Sequence, residues 1–309
     1  SFNFQPAEFT KIAVSLAITK YLSEINVSLK KPLVQIKSFI ILAIPMALIL
    51  LQPDAGTALT FVAFIIPLYR KGLPHAYLIL GVSLISLFLL TLKFSANSVA
   101  ISLAALSIIG LIVLRKKKVN LFKYFLLVGL AIGFVFSVNF VFNNVLLPHQ
   151  QDRFEILLGN KTDIKGTGFN TYQSKVAIGS GGLTGKGWLK GTQTHGKFVP
   201  AQHTDYIFTT LAEEWGFVGS MTLLLIYLFF IIRLFIMAER QKQNFSLIYG
   251  YCVASVLFIH FFVNIGMVIG VLPTIGIPLP LFSYGGSSLW GFTILIFIFL
   301  KMDAKRKQL

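Results

Sequence analysis

Long apolar runs, separated by short stretches that hold most of the basic residues, give the chain its pattern. Runs such as Tyr124 to Phe142 and Ser246 to Val271 are long enough to cross a hydrocarbon core of about 30 Å as helices. Nine such spans are predicted, at about 6–24, 36–52, 56–70, 75–93, 97–114, 121–142, 210–236, 246–271 and 286–301. Lys30, Lys31 and Lys37 follow the first span, Arg70 and Lys71 the third, and Arg115 to Lys118 the fifth. Arg240 and Lys242 follow the seventh, and Lys301, Lys305, Arg306 and Lys307 end the chain. With nine spans all of these clusters fall on one side of the membrane. The positive-inside rule makes that side the cytoplasm and sets Ser1 outside.

The expected fold class is therefore all-α: a polytopic transmembrane helix bundle with one large extracytoplasmic loop, within a single membrane domain over 1–309. The loop runs from about Asn143 to Asp205 and holds more cations than acids, which long loops tolerate on the outer side. Its aromatics, glycines and apolar runs, Val176 to Ile178 among them, argue that it is ordered.

Composition strengthens this reading. Hydrophobic residues make up 55% of the chain and charged residues 12%, against about 25% charged in soluble domains. Mean hydropathy is +0.78. The formal net charge of +16 raises nucleic acid as a partner, but the cations sit at alternate ends of apolar segments and not along one aromatic face. The lone cysteine, Cys252, excludes an intrachain disulfide.

Candidate chemistry gathers in the polar segments. Gly179 to Gly187 resembles a phosphate loop but breaks the Walker pattern at Ser180 and Gly187, and the dinucleotide pattern at Thr184, so no nucleotide or organic cofactor is expected. What is left is a glycine-rich backbone able to hold an anion, or a series of tight turns, which glycine content alone favours. Thr204 or Asp205 suits a helix cap before the seventh span. Asp205 and Glu213, eight residues apart, would share a face about 12 Å apart on a continuous helix. Glu8 and Lys11 share a helix face as an ion pair, or as functional groups, the default for ionisable residues in a span. Gln52 to Gly56 reads as a turn, Pro273 to Pro280 and Ser283 to Ser287 as a rigid external loop, and His260 as a packed histidine. No His, Cys or carboxylate spacing matches a protein-built metal cage.

Five stretches in order carry a family resemblance: Phe4 to Val14, Leu50 to Leu59, Gln173 to Gln193, Phe198 to Gly219 and Val263 to Ser288. Together they resemble the SEDS family of shape, elongation, division and sporulation proteins, with Gly191-Thr192-Gln193 pointing to its RodA-like branch. The match covers nearly all of the chain outside about Pro74 to Tyr124. The family pattern has three spans ahead of the Gln5 helix, so an N-terminal part is expected to be missing. It has one span where three are counted between Pro74 and Phe142, so residues 75–114 look like an inserted hairpin.

The resemblance implies a peptidoglycan glycosyltransferase of the bacterial cytoplasmic membrane that polymerises lipid II on its outer side during cell-wall elongation and releases undecaprenyl pyrophosphate. Asp205 matches the family's essential acid and is expected to be the catalytic base or a metal-assisted equivalent. Glu8, Lys11 and Gln5 would line the same cavity, with Glu213 and Ser283 as further substrate-binding candidates. Arg153, Lys175 and Lys186 are candidate diphosphate contacts by charge and loop position. The anionic leaving group calls for positive charge or a divalent cation, magnesium or manganese. Implied partners are a class B penicillin-binding protein and other elongation-complex membrane proteins. The competing readings are a lipid II flippase, expected to bind near the midplane on broken helices, and a non-catalytic scaffold for the penicillin-binding protein.

Overall fold

The computed structural model describes residues 5–52, 54–114, 120–161, 168–196 and 198–306. Pro53, the Arg115–Lys118 cluster, Asp163, Lys165, Lys197 and Lys307 lie outside them. The described helices are α1 (Pro6–Ser23), α2 (Pro32–Leu51), α3 (Ala55–Thr60), α4 (Ile65–Arg70), α5 (His75–Lys93), α6 (Ala96–Leu114) and α7 (Leu121–Asn144). They continue with α8 (Pro148–Leu157), α9 (Phe169–Ser180), α10 (Thr192–His195), α11 (Ile207–Glu239), α12 (Asn244–Val268) and α13 (Gly286–Lys305). A single 3₁₀ turn, Phe61–Phe64, joins α3 to α4.

Local chemistry starts these helices where it should. Proline occupies the first turn of α1, α2 and α8, where its missing N–H costs nothing. The Asp54 side chain caps α3 by accepting from the Thr57 N–H at 2.9 Å.

Six described helices are long and apolar enough to cross a membrane: α2, α5, α7, α11, α12 and α13. The expected spans at 56–70 and 97–114 are shorter apolar helices, and α1 carries Glu8, Lys11 and Lys20 among its apolar residues. The protein is an integral membrane protein.

The chain forms two compact units, residues 1–75 with 170–309, and 76–169. The expected outer loop is thereby divided, 143–169 belonging to one unit and 170–205 to the other. In the larger unit α12 is the central element. Ile248, Tyr249, Cys252, Val253, Ala254 and Val256 are all 0% exposed, whereas α5 fully buries only 6% of its apolar window. Gly250 makes the tight packing possible, because a Cβ there would stand 2.5 Å from the Phe299 ring and 2.7 Å from the Ala238 Cβ. In the smaller unit Phe154 of α8 meets Phe88 and Phe142 edge-on, and the Tyr124 hydroxyl donates to the Ser107 carbonyl at 2.6 Å.

Within the larger unit the basic clusters lie at one end, as the charge pattern requires. Arg70 pairs with Glu239 across α4 and α11, Lys71 donates to Asn244 of α12, and Arg240 pairs with Asp303 of α13. The opposite end holds the polar motifs.

Candidate active site

At that opposite end a cleft of about 760 Å³ is lined by Gln5, which precedes α1, Glu8 of α1, Thr57 of α3, Asp205, Gly276 and Ser287. Long-range hydrogen bonds assemble its walls. The Gln5 N–H donates to the Ser287 hydroxyl at 3.1 Å, and the Gln5 amide to Asp54 Oδ2 at 3.1 Å. Asp54 thus does more than cap its helix: it ties α1 to the 54–57 turn. Gly56 permits this closeness, since a Cβ there would lie 2.8 Å from the Ile275 carbonyl oxygen.

Asp205 sits in the turn before α11, not on the helix. Three bonds hold the main chain of the 203–205 turn. The Asn264 amide donates to the Asp205 carbonyl at 2.8 Å and to the Ile277 carbonyl at 2.7 Å. Ser283 accepts from the Leu279 N–H and donates to the neighbouring Thr204 carbonyl at 2.7 Å. The Tyr284 N–H donates to the His203 carbonyl at 2.9 Å. Ala201 and Leu281, non-glycine residues with φ of 53° and 61°, bracket this assembly, a local cost that surrounding contacts must sustain.

The carboxylate itself has no hydrogen-bond donor among the described residues. Partial burial without a donor pushes the Asp205 carboxyl above its ordinary range. A proton acceptor positioned by its backbone, with lone pairs facing a cleft, is what a general base requires.

Glu8 forms the neighbouring wall and accepts from Lys11 at 2.8 Å, both side chains being buried. The Lys11 ammonium also lies 2.9 Å from His260 Nε2 and 4.8 Å from the centre of the Phe292 ring. His260 is packed, as its apolar surroundings indicate, and in addition serves as a polar partner for a buried cation.

Glu213 occupies a different setting. It is 0% exposed and accepts from Lys186 Nζ at 2.8 Å, the Gln193 N–H at 2.9 Å and the Thr194 N–H at 3.0 Å. The last two are free N–H groups of the first turn of α10, a favourable place for a carboxylate. Gly191 must be glycine there, because a Cβ would come within 2.8 Å of Glu213 Oε2.

The glycine-rich loop serves the same clamp. Lys186 N–H and Gly187 N–H donate to the carbonyls of Glu213 and Glu214, and Phe217 and Val218 N–H donate back to Gly182 and Leu183. A Cβ at Gly181 would stand 2.1 Å from the Ala212 carbonyl oxygen. The loop therefore packs against α11, and the N–H groups of Lys186 and Gly187 are spent on helix carbonyls and not kept for an anion. Because α11 begins only at Ile207, Asp205 and Glu213 do not share the face of one continuous helix as their spacing predicts; Gly216, with φ of 65°, breaks α11 beyond both.

Gln5, Glu8 and Asp205 line the cleft, Lys11 reaches it through Glu8, and Ser283 supports it from behind. Glu213 and Lys186 pair in the clamp, and Lys175 lies exposed against Gly270 at the end of α12; none of the three lines the cleft. Arg153 is exposed on α8 in the smaller unit. Sequence reasoning passed over Asn264, although an amide inside an apolar span is itself a signal. Among the described residues no three His, Cys, Asp or Glu groups cluster into a protein-built metal cage.

Comparison with known proteins adds the following. Residues 1–100 and 82–308 match the family described as "Cell cycle protein" (FtsW/RodA/SpoVE). The peptidoglycan glycosyltransferase RodA of Treponema pallidum is 34% identical, the alignment covering 100% of this chain and 76% of the relative. The peptidoglycan glycosyltransferase MrdB of Escherichia coli K12 is also 34% identical, over 93% of this chain and 64% of its own length. This chain thus spans less than two thirds of that relative. A chain from a peptidoglycan synthase complex that coordinates polymerization and crosslinking is 26% identical, with a TM-score of 0.64 over 99% of this chain and 71% of its own. RodA of Thermus thermophilus shares the fold at 22% identity, with a TM-score of 0.57 over 98% of this chain and 66% of its own.

Proposed function

Because the chain belongs to the FtsW/RodA/SpoVE family, we propose that it carries the polymerising centre of a peptidoglycan glycosyltransferase acting on lipid II. The observation that carries this reading is the Asp205 carboxylate, held by its backbone in an open cleft with no hydrogen-bond donor among the described residues.

The step is an inverting glycosyl transfer. Asp205 takes the proton of the acceptor's hydroxyl as that oxygen attacks the donor's anomeric carbon. The bond from that carbon to the diphosphate breaks, and undecaprenyl pyrophosphate departs with the electron pair. Raising the carboxyl's affinity for protons makes it a stronger base for this transfer. The glycines at 276 and 285 leave room for sugar beside it, and the prenyl tail stays in the bilayer throughout.

No cation lines the cleft among the described residues. A divalent magnesium or manganese ion, in this reading, accompanies the diphosphate as part of the substrate, and no step of the transfer is routed through it. In this reading the cleft opens on the outer face of a bacterial cytoplasmic membrane, a placement that the charge pattern supports. A class B penicillin-binding protein and further elongation-complex membrane proteins are the proposed partners, on the strength of the related synthase complex.

The test is Asp205→Ala in the full-length protein with its transpeptidase partner, given purified lipid II. The expected result is normal membrane insertion and partner binding with glycan synthesis reduced at least about a hundredfold. Polymerisation at the parental rate overturns the assignment. Translocation of lipid II across sealed vesicles without polymer formation supports the flippase instead.

A further inference from the structure

The basic end of the larger unit contains a second cavity, of about 600 Å³, that shares no lining residue with the Asp205 cleft. Lys30, Tyr69, Arg70, His75 and Tyr251 line it, above a floor that includes Ile66 and Leu73. Its polar groups are ordered before any ligand arrives. Tyr69 hydroxyl and His75 Nδ1 are 2.8 Å apart, with their rings edge to face. Arg70 is gripped bidentately by Glu239 at 2.7 and 2.9 Å and stands over the Tyr251 ring at 5.8 Å. That pairing neutralises Arg70 at the cavity wall. Lys30 differs: its ammonium makes no ion pair and no hydrogen bond with the described residues, and the side chain is exposed.

A cavity with an uncommitted ammonium, a histidine and two tyrosine rings at the rim of apolar helices matches the chemistry of a phosphate group carried at a membrane surface. The positive-inside rule puts this end in the cytoplasmic leaflet, where anionic lipids concentrate. We propose that this cavity binds a phosphate group, presented by an anionic lipid headgroup or by a soluble phosphate compound, with Lys30 as the cation that contacts it. The inference is independent of the chemistry assigned to Asp205.

The test uses full-length protein, delipidated in neutral detergent and titrated with short-chain phosphatidylglycerol or phosphatidylcholine, with adducts counted by native mass spectrometry. One phosphatidylglycerol is expected to be retained in preference to phosphatidylcholine. Lys30→Ala is expected to weaken it roughly tenfold, the worth of one charge-assisted hydrogen bond. Lys37→Ala, which removes the same charge from an exposed position on α2 outside the cavity, is expected to change it less than about twofold. Inorganic phosphate added at constant ionic strength tells the sources apart: competition that Lys30→Ala abolishes identifies a soluble phosphate compound, and lipid retention without competition identifies the headgroup. Equal losses in the two variants, or retention of neither probe, overturn the proposal.

Discussion

Asp205 and Glu213 lie eight residues apart at the mouth of the same apolar helix, yet the molecule treats them in opposite ways. Glu213 is 0% exposed and takes up donors from Lys186, Gln193 and Thr194, so its acceptor capacity is used in joining α9, α10 and the glycine-rich loop to α11. Asp205 has its carbonyl fastened by Asn264 while its carboxylate meets no donor among the described residues. A carboxylate whose lone pairs are all engaged contributes rigidity. One whose backbone is fixed and whose lone pairs are left open can accept a proton from something else.

The sharpest way to break this comparison is to neutralise each acid without changing its shape. Asp205→Asn is expected to cut glycan synthesis from lipid II by at least about a hundredfold while the thermal unfolding midpoint in detergent stays put. Glu213→Gln is expected to do the reverse. It puts an amide NH₂ among buried donors and leaves Lys186 unpaired, lowering stability by about 2–4 kcal/mol in denaturation of the purified protein. Identical profiles for the two variants would erase the distinction.

A smaller effect should follow from Gly276→Ala, which changes neither acid. The position has φ of 75°, and a Cβ there would approach Asp205 Oδ2 to 3.3 Å. Strain of roughly 1–2 kcal/mol and a crowded carboxylate are expected to reduce turnover by about tenfold, read in the same polymerisation assay. Unchanged turnover would mean that the Gly276 side of the cleft does not receive substrate.

The mildest perturbation is pH. Because the folded Asp205 carboxyl binds its proton more tightly than an ordinary one, kcat/KM should fall as pH drops through a value above 3.8, by about tenfold per unit on the acid limb. Through this group stability runs the other way: its contribution is present at low pH and lost as pH rises through the raised pKa. A profile that stays flat well below the ordinary carboxylate value would remove Asp205 from the proton transfer.

Much of the fold was legible because a bilayer imposes local rules. The spans read at 6–24, 210–236 and 246–271 appear as Pro6–Ser23, Ile207–Glu239 and Asn244–Val268, since an apolar run must close its backbone hydrogen bonds within itself wherever it meets lipid. The gathering of basic clusters at one end of the larger unit was equally local, carried by the positions of the lysines and arginines. The division into two compact units was not legible, because the outer loop gives no compositional sign of where it changes allegiance, between Phe169 and Asn170.

The candidate site divides along the same line. Sequence alone determined which polar residues stand at the ends of the apolar runs, among them Gln5, Glu8, Asp205 and Glu213. Tertiary structure alone decided their company. Lys186 meets Glu213 from 27 residues away, Asn264 reaches Asp205 from 59, and Gln5 finds Ser287 from 282. Charge and hydropathy are properties of the residue and can be read in order along the chain. Whether an acid is satisfied or left open depends on donors brought to it by packing, and no periodicity records that meeting.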